Sequence, residues 1–172
     1  AFVFLGSVSG LDSTASWTAE PDQADAYFGG SVAGAGDVNG DGFADVVVGA
    51  WQYDNGHTNE GRAYAFLGAA TGLGSAPSWI VESDQAAAYF GRSVAGAGDI
   101  NGDGYGDIAV GAAEYDNGST GEGRAYVYFG STSGLSAAAS WTGEPDSAGA
   151  NFGHPVAAAG DVNGDGYADL LV

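Results

Sequence analysis

The sequence repeats itself with a period of 62 residues. The nonapeptide Asp-x-Asn-x-Asp-Gly-x-x-Asp occurs three times, beginning at Asp37, Asp99 and Asp161, so both intervals are 62 residues (99 − 37 and 161 − 99). The pair Phe-Gly recurs at the same spacing, at 28–29, 90–91 and 152–153. A regular period of this length predicts a chain built from copies of one structural unit, each of which must bury a face against its neighbours.

Composition and charge restrict the class of protein. The 172 residues include 32 Gly, 4 Pro and no Cys, which favours many tight turns and leaves no disulfides. The formal net charge of −19 comes from 22 acidic residues against 3 basic ones. A nucleic-acid or anionic membrane surface needs a basic patch, so we expect neither partner, and no apolar run is long enough for insertion into a membrane.

Four short segments in each period are predicted to be strands. In the middle copy they are residues 93–97, 107–112, 124–129 and 140–143, each bounded by Gly, Asn, Asp or Ser. No segment has the length and the 3.6-residue periodicity of a helix. The prediction is an all-β fold in which each period forms four antiparallel strands, as in one blade of a β-propeller. A parallel β-helix is the main alternative, although its repeats are usually nearer 20 residues.

The repeat also predicts how the chain divides. Residues 1–22 correspond to the end strands of one blade, 23–84 and 85–146 to complete blades, and 147–172 to the first two strands of a further blade. Propellers close with about four to eight blades, so this single segment supplies too few. We therefore expect a partial propeller that is completed either by further blades of a longer chain or by a second copy. A homodimer would close a six-bladed ring.

The motifs resemble a known family. Phe28-Gly29, the acidic segment 36–45, an apolar strand and Gly49-Ala50 are similar to FG-GAP repeats, which form the blades of the integrin α-subunit propeller and of many bacterial surface proteins. The resemblance covers essentially the whole chain. The Pro that often follows Gly-Ala in this family is replaced by Trp51 and Ala113.

The resemblance implies that each acidic loop joins the first two strands of a blade and holds one Ca²⁺, about three ions per chain. The implied ligands are four side chains and one backbone carbonyl in each loop. They are Asp37, Asn39, Asp41, Asp45 and the Phe43 carbonyl; Asp99, Asn101, Asp103, Asp107 and the Tyr105 carbonyl; and Asp161, Asn163, Asp165, Asp169 and the Tyr167 carbonyl.

The spacing of these residues also favours metal binding on physical grounds. Residues one, three and five turn their oxygens to one side of a tight curve, Gly at six permits the turn, and residue nine closes the cage. EF-hands and dockerins begin in the same way but need a carboxylate at position twelve, which here is Val48, Val110 or Val172. Asn-Gly and Asp-Gly also occur in ordinary hairpin turns, yet four ligating side chains repeated three times exceed what a turn needs.

Several residues outside the loops are candidates for ligand contacts. Trp17, Trp79 and Trp141 occupy equivalent positions, where packing on an adjacent blade is favoured over sugar stacking. Trp51 has Ala113 as its counterpart, which makes it the better candidate for binding a ligand.

The three arginines are assigned different roles. Arg62 and Arg124 are equivalent and are expected to pair with acids such as Asp54 and Asp116. Arg92 aligns with Gly30, so this position is variable and expected to be exposed.

The expected function is that of a calcium-binding propeller module that mediates extracellular protein or glycan binding or adhesion, with structural metal sites. No Cys is present and the two His are not equivalent, so no catalytic residues are predicted and the chain is not expected to be an enzyme. A lectin, or a non-catalytic scaffold attached to a polysaccharide-acting enzyme, are the alternatives. An extracellular or cell-surface location is expected because calcium is plentiful there.

Overall fold

The structure, a computed structural model of residues 1–172, contains fourteen strands and no helix. No segment could therefore cross a membrane as a helix. The strands are β1 (Phe2–Val3), β2 (Gly6–Ser7), β3 (Gly10–Leu11), β4 (Trp17–Thr18), β5 (Phe28–Gly36), β6 (Asp45–Ala50), β7 (Arg62–Phe66), β8 (Trp79–Glu82), β9 (Phe90–Gly98), β10 (Asp107–Ala112), β11 (Arg124–Tyr128), β12 (Trp141–Gly143), β13 (Ala157–Gly160) and β14 (Asp169–Leu171).

Two complete four-stranded antiparallel sheets form the centre of the molecule. Their strand orders are β5-β6-β7-β8 and β9-β10-β11-β12, so every strand pairs with its neighbour in sequence. Two-stranded sheets of β1 with β4 and of β13 with β14 lie at the two ends, and β2 pairs with β3 in a small hairpin. The prediction of an all-β fold with four antiparallel strands per blade is confirmed.

The first strand of each complete sheet is longer than predicted. β9 begins at Phe90 rather than at residue 93, because Phe90 pairs with Ala112 beyond an irregularity in the ladder that skips two residues. Gly91, inside that irregularity, has a φ of 81°, which a residue with a side chain rarely adopts. The Phe-Gly pair therefore extends the strand around a bend, which alternation of side chains does not reveal.

The main core lies between the two complete sheets. Val47 and Trp79 of the first sheet pack in one buried cluster with Phe90, Ile108 and Val110 of the second. All six residues of β10 are buried, as expected for a central strand covered on both faces. Each sheet therefore buries one face against the preceding sheet and the other against the next.

Two of the repeated tryptophans join consecutive sheets. The indole N–H of Trp17 donates to the carbonyl of Gly74 at 2.9 Å, and that of Trp79 donates to the carbonyl of Ser136 at 2.8 Å. Trp79 is only 8% exposed, whereas Trp141, at the end of the second complete sheet, is 46% exposed. Packing therefore explains Trp17 and Trp79, in line with the favoured interpretation.

The prediction for the partners of two arginines is wrong. Arg62 lies opposite Glu82 in the β7–β8 ladder, and its Nε and Nη2 donate to the same carboxylate oxygen at 2.9 and 2.7 Å. Arg124 pairs with Glu144 in the same way. The expected partners, Asp54 and Asp116, instead close their own loops by accepting backbone N–H groups five residues later.

Consecutive sheets meet backbone to backbone at glycine. A Cβ added at Gly49 would overlap the carbonyl oxygen of Gly91, and one added at Gly111 would overlap that of Gly153. The Ser31 hydroxyl donates to the same Gly91 carbonyl at 2.7 Å. This contact sets the distance between the sheets, because no side chain separates the two backbones.

Replacing Gly49 by Ala is expected to lower the free energy of unfolding by about 1–3 kcal/mol, the usual cost of overpacking a core. The added methyl group meets a carbonyl that can move only with its whole strand. Gly34→Ala is the matched control, because a Cβ there meets no atom within 4 Å. Urea unfolding of both variants measures the difference, and equal losses would contradict the close approach.

Candidate metal centre

The acidic loops lie together at one edge of the molecule. They join β5 to β6, β9 to β10 and β13 to β14, so each connects the first two strands of its sheet. This edge is formed by the ends of the first strands and the beginnings of the second, since Gly36 pairs with Asp45 and Gly98 with Asp107. The loops therefore occupy equivalent positions in consecutive sheets.

The first aspartate of each loop organises the turn. The Asp37 carboxylate accepts the backbone N–H groups of Gly40, Asp41 and Gly42, at 2.7, 3.1 and 2.8 Å. The bond from Gly42 makes the largest contribution to lowering the pKa of Asp37, and the corresponding bond from Gly166 lowers the pKa of Asp161. These carboxylates are held as anions by peptide groups of their own loops.

The last aspartate of the first two loops is buried and tied to two segments. Asp45 is 1% exposed, and its oxygens accept the N–H groups of Val38 and Gly68 at 2.8 and 2.7 Å. Asp107 is 0% exposed and makes the same two kinds of bond. Since Gly68 follows β7, this aspartate ties its loop to the segment that follows the adjacent third strand.

Burial raises the pKa of Asp45, an effect that the bonds from Gly68 and Val38 only partly oppose. The negative charges of Asp41 and Asp37 raise it further, and Asp103 and Asp99 act in the same way on Asp107. The three carboxylates of a loop are therefore close enough to repel one another. A cation placed among them would favour their ionised forms.

Each loop contains the types of oxygen ligand that a hard cation prefers. Three carboxylates, the Asn39 amide and the Phe43 carbonyl offer the ligands that Ca²⁺ prefers. A carboxylate oxygen that accepts one N–H retains a second lone pair for a metal. No group of three or more acidic or histidine side chains is arranged to hold a metal ion, and the Asn39 amide N–H₂ donates to Asp41 at 2.9 Å. The structure thus places the implied ligands in one loop without closing a cage.

Neighbouring loops contact each other directly. The N–H of Gly106 donates to the carbonyl of Asp37 at 2.8 Å, and that of Ala168 donates to the carbonyl of Asp99 at 3.0 Å. The Tyr105 ring lies against Gly40, where an added Cβ would come within 2.6 Å of the ring. The three loops consequently form a continuous row rather than separate turns.

Two features of the structure escaped the sequence analysis. The N–H groups of Gly68 and Gly130 hold Asp45 and Asp107, and the only signal of this in the sequence is that both glycines recur one repeat apart. Glu60 and Glu122 are 0% exposed, and one oxygen of each carboxylate has no hydrogen-bond partner. Their repetition before Gly was visible, but nothing in the pattern indicates burial.

The candidate ligand residue Trp51 lies at the opposite edge from the acidic loops. It directly follows β6, whose last residue, Ala50, pairs with Phe28 at the beginning of β5 and with Arg62 at the beginning of β7. The structure therefore separates the predicted metal ligands from the predicted ligand-binding aromatic residue.

Comparison with known proteins gives a family match to the FG-GAP repeat at residues 28–66, 90–128 and 152–172. The matched segments begin at each Phe-Gly pair. The first two run through the acidic loop to the third strand of their sheet, and the third ends with the second strand. More than half of the chain is therefore covered by the three repeats.

The curated relatives include integrin alpha chains. The chain is 40% identical over 159 residues to integrin alpha-IIb of Homo sapiens and 39% identical over 158 residues to that of Mus musculus, in each case 88% of the chain and 15% of the relative. It is 35% identical over 178 residues to integrin alpha-3 of Cricetulus griseus, covering 100% of the chain and 16% of the relative. The chain thus spans about one sixth of the length of these relatives.

Replacing Asp45 by Asn is expected to lower the free energy of unfolding by about 1–3 kcal/mol in excess chelator, because an amide cannot accept from both Val38 and Gly68. The exposed Asp41→Asn is the control and should change stability by about 0.5 kcal/mol or less. Urea unfolding without divalent cations separates this hydrogen-bonding role from metal binding. Equal effects of the two substitutions would refute it.

Proposed function

Because the chain belongs to the FG-GAP repeat family, we propose that it is a segment of a calcium-stabilised extracellular β-propeller that binds a protein or glycan ligand. The observation that carries the proposal is the row of three acidic loops at equivalent positions of consecutive sheets. The blades would be residues 23–84 and 85–146, flanked by half-blades 1–22 and 147–172. The similarity to integrin alpha chains supports an adhesion-related role.

The proposed cations have a structural role. Each would be held by the four side chains and the carbonyl named above, for example Asp37, Asn39, Asp41, Asp45 and the Phe43 carbonyl in the first loop. Binding would turn the Asn39 amide oxygen toward the ion and break the bond that the Asn39 amide N–H₂ donates to the Asp41 carboxylate. Three divalent ions would change the formal net charge from −19 to −13 (−19 + 6) and relieve repulsion within the row of loops.

A binding role fits these residues better than catalysis. The clustered carboxylates are committed to backbone N–H groups and to the proposed cations, which keep them ionised rather than available as proton donors. Ligands would bind to loops that the rigid sheets and ions hold in place. The extracellular setting is proposed because calcium, the proposed ligand of these loops, is plentiful outside cells.

The half-blade of β13 and β14 is proposed to be completed by strands equivalent to β1 and β4. An apolar groove of about 340 Å³ between β11, β12 and β14 is lined by Val127, Phe129, Trp141 and Leu170, among others. Trp141 is 46% exposed there, whereas the equivalent Trp79 contacts Tyr128 with ring centroids 4.9 Å apart. The strands that fill the groove would come from further blades of a longer chain or from a second copy.

The repeat predicts which residues would pair between β14 and a strand equivalent to β1. In the first complete sheet Val47 lies opposite Ala65. Adding 124 to the first number and subtracting 62 from the second places Leu171 opposite Val3. Phe4 is the counterpart of Tyr128 (128 − 124) and Trp141 that of Trp79 (79 + 62), so Phe4 would contact Trp141 as Tyr128 contacts Trp79. Phe4 is 47% exposed, so both halves of the proposed contact with Trp141 are open.

Calcium is expected to stabilise the protein, whereas chelation destabilises it. Each site contributes about 2.7 kcal/mol when free calcium is 100 times its dissociation constant. Thermal unfolding with calcium, magnesium or chelator measures the shift, and calorimetry should count about three ions per chain, as implied by one ion in each loop. Asp41→Asn should reduce the shift, while the control Asp12→Asn, an exposed acid outside the loops, should not. A melting temperature indifferent to calcium would contradict the proposal.

Cysteine pairs can test the proposed register, because the chain contains no Cys. Val3→Cys combined with Leu171→Cys is expected to give disulfide-linked dimers or rings of the 172-residue chain, since opposed residues in adjacent strands lie about 4.5–5.5 Å apart. Val8→Cys with Leu171→Cys is the control, because Val8 lies on the β2–β3 hairpin. Non-reducing gels and sedimentation give the result. A compact monomer without the disulfide between positions 3 and 171 would contradict completion by a second copy and would leave completion by further blades of a longer chain.

A further inference from the structure

An aromatic cluster occupies the edge opposite the acidic loops. Trp51 lies between Tyr27 and Tyr89, with ring centroids 4.7 and 5.4 Å away, and the two tyrosines are one repeat apart. Arg92 lies 5.7 Å from the centroid of the Trp51 ring. The cluster therefore spans the junction between two complete sheets.

The polar groups of this cluster lack partners in the protein. The indole N–H of Trp51 and the hydroxyls of Tyr27 and Tyr89 form no hydrogen bond, in contrast to the indoles of Trp17 and Trp79. Tyr27 is 56% exposed. Aromatic rings with free polar ends can stack against a ligand and bond to it at the same time.

Arg92 forms only a long ion pair, unlike the other two arginines. Its guanidinium forms no hydrogen bond, and its nearest acid is Glu114, at 3.9 Å. Both side chains are accessible, with 36% of Arg92 and 42% of Glu114 exposed. Five N–H donors and a carboxylate acceptor therefore lie beside the aromatic rings.

The backbone does not explain the tyrosines. Tyr27 and Tyr89 both have a φ of 54°, and the equivalent Asn151 has a φ of 53°. Asn adopts this left-handed conformation more readily than Tyr, whose bulky side chain makes it unfavourable. Strained residues of this kind cluster at functional sites, and here both of them flank Trp51.

Charge selects the class of ligand. A cationic group would meet Arg92, which already lies over the Trp51 ring. A polyanion would be repelled by a protein with a formal net charge of −19. A neutral ligand with apolar ring faces and many hydroxyls fits both the aromatic surface and the unpartnered donors and acceptors.

We infer that Tyr27, Trp51, Tyr89, Arg92 and Glu114 form a binding site for a neutral pyranose of a glycan. A C–H face of the sugar stacks on the aromatic cluster, while its hydroxyls bond to Arg92, Glu114 and the indole N–H of Trp51. This inference rests on the proposed binding function and assigns its ligand class and its residues. It places the site at the junction of two sheets, away from the acidic loops.

Nuclear magnetic resonance titration of the calcium-loaded, ¹⁵N-labelled chain tests the inference. The probes are the methyl glycosides of glucose, galactose and mannose, all neutral, with methyl glucuronide and a lysine tripeptide as charged comparisons. A neutral sugar should shift the Trp51 indole signal while the hydrogen-bonded indoles of Trp17 and Trp79 stay in place. Trp51→Ala, which copies Ala113 of the next repeat, should weaken binding at least about tenfold, equivalent to about 1.4 kcal/mol.

Further variants separate binding from folding. Arg92→Gly, which copies Gly30, should also weaken binding, and Trp51→Phe should retain part of it. Ile80→Ala removes an exposed apolar side chain elsewhere and should leave binding unchanged. Circular dichroism and thermal unfolding establish that each variant is folded.

No shift of Trp51 with any neutral sugar, or a shift with only a charged probe, would overturn the inference. The calcium measurements distinguish this failure from failure of the proposed function. Stabilisation by calcium without sugar binding removes only the glycan site. Sugar binding at Trp51 in a chain whose stability does not depend on calcium would support the glycan site and contradict the proposed metal sites.

Discussion

The contact of glycine backbones between consecutive sheets is the constraint on which the rest of the structure depends. Gly49 meets Gly91, and Gly111 meets Gly153, without a side chain between them. This close approach brings the first strand of one sheet against the first two of the preceding sheet, so that Trp79 reaches the carbonyl of the next sheet's Ser136. It also fixes the spacing between equivalent loops, because each loop is carried on strands that cannot move apart independently.

The close spacing of the three loops places their carboxylates near one another and causes electrostatic repulsion at this edge. Neighbouring loops share hydrogen bonds, so nine aspartates are gathered in one row. Peptide N–H groups already fix the conformation of each loop through Asp37 and its counterparts. The proposed cation therefore has little chain to order, and its contribution is chiefly to relieve repulsion. Burial of Asp45 and Asp107 makes this relief larger than it would be at an exposed turn.

The sequence predicts the features that depend on spacing and fails where geometry in three dimensions decides. The 62-residue period and the acidic motif predict the sheets and the position of each loop, because both can be read from residue identities and their spacing. The start of β9 at Phe90 depends on an irregular ladder, and the partner of Arg62 depends on cross-strand register rather than on nearness in sequence. The bond from Gly68 to Asp45 joins positions 23 residues apart through a backbone N–H, and the recurrence of Gly at 68 and 130 does not by itself identify its acceptor.

The two edges of the molecule differ in how strictly they repeat. The four side-chain ligands of the acidic motif are identical in all three copies, as expected where every copy must bind the same proposed cation. At the opposite edge the copies diverge, with Trp51 against Ala113, Arg92 against Gly30, and Glu114 against Gln52. A binding site that occurs once in the chain requires residues that differ between the copies. Specific ligand binding is therefore expected at the edge where the copies differ, opposite the edge that carries the acidic loops.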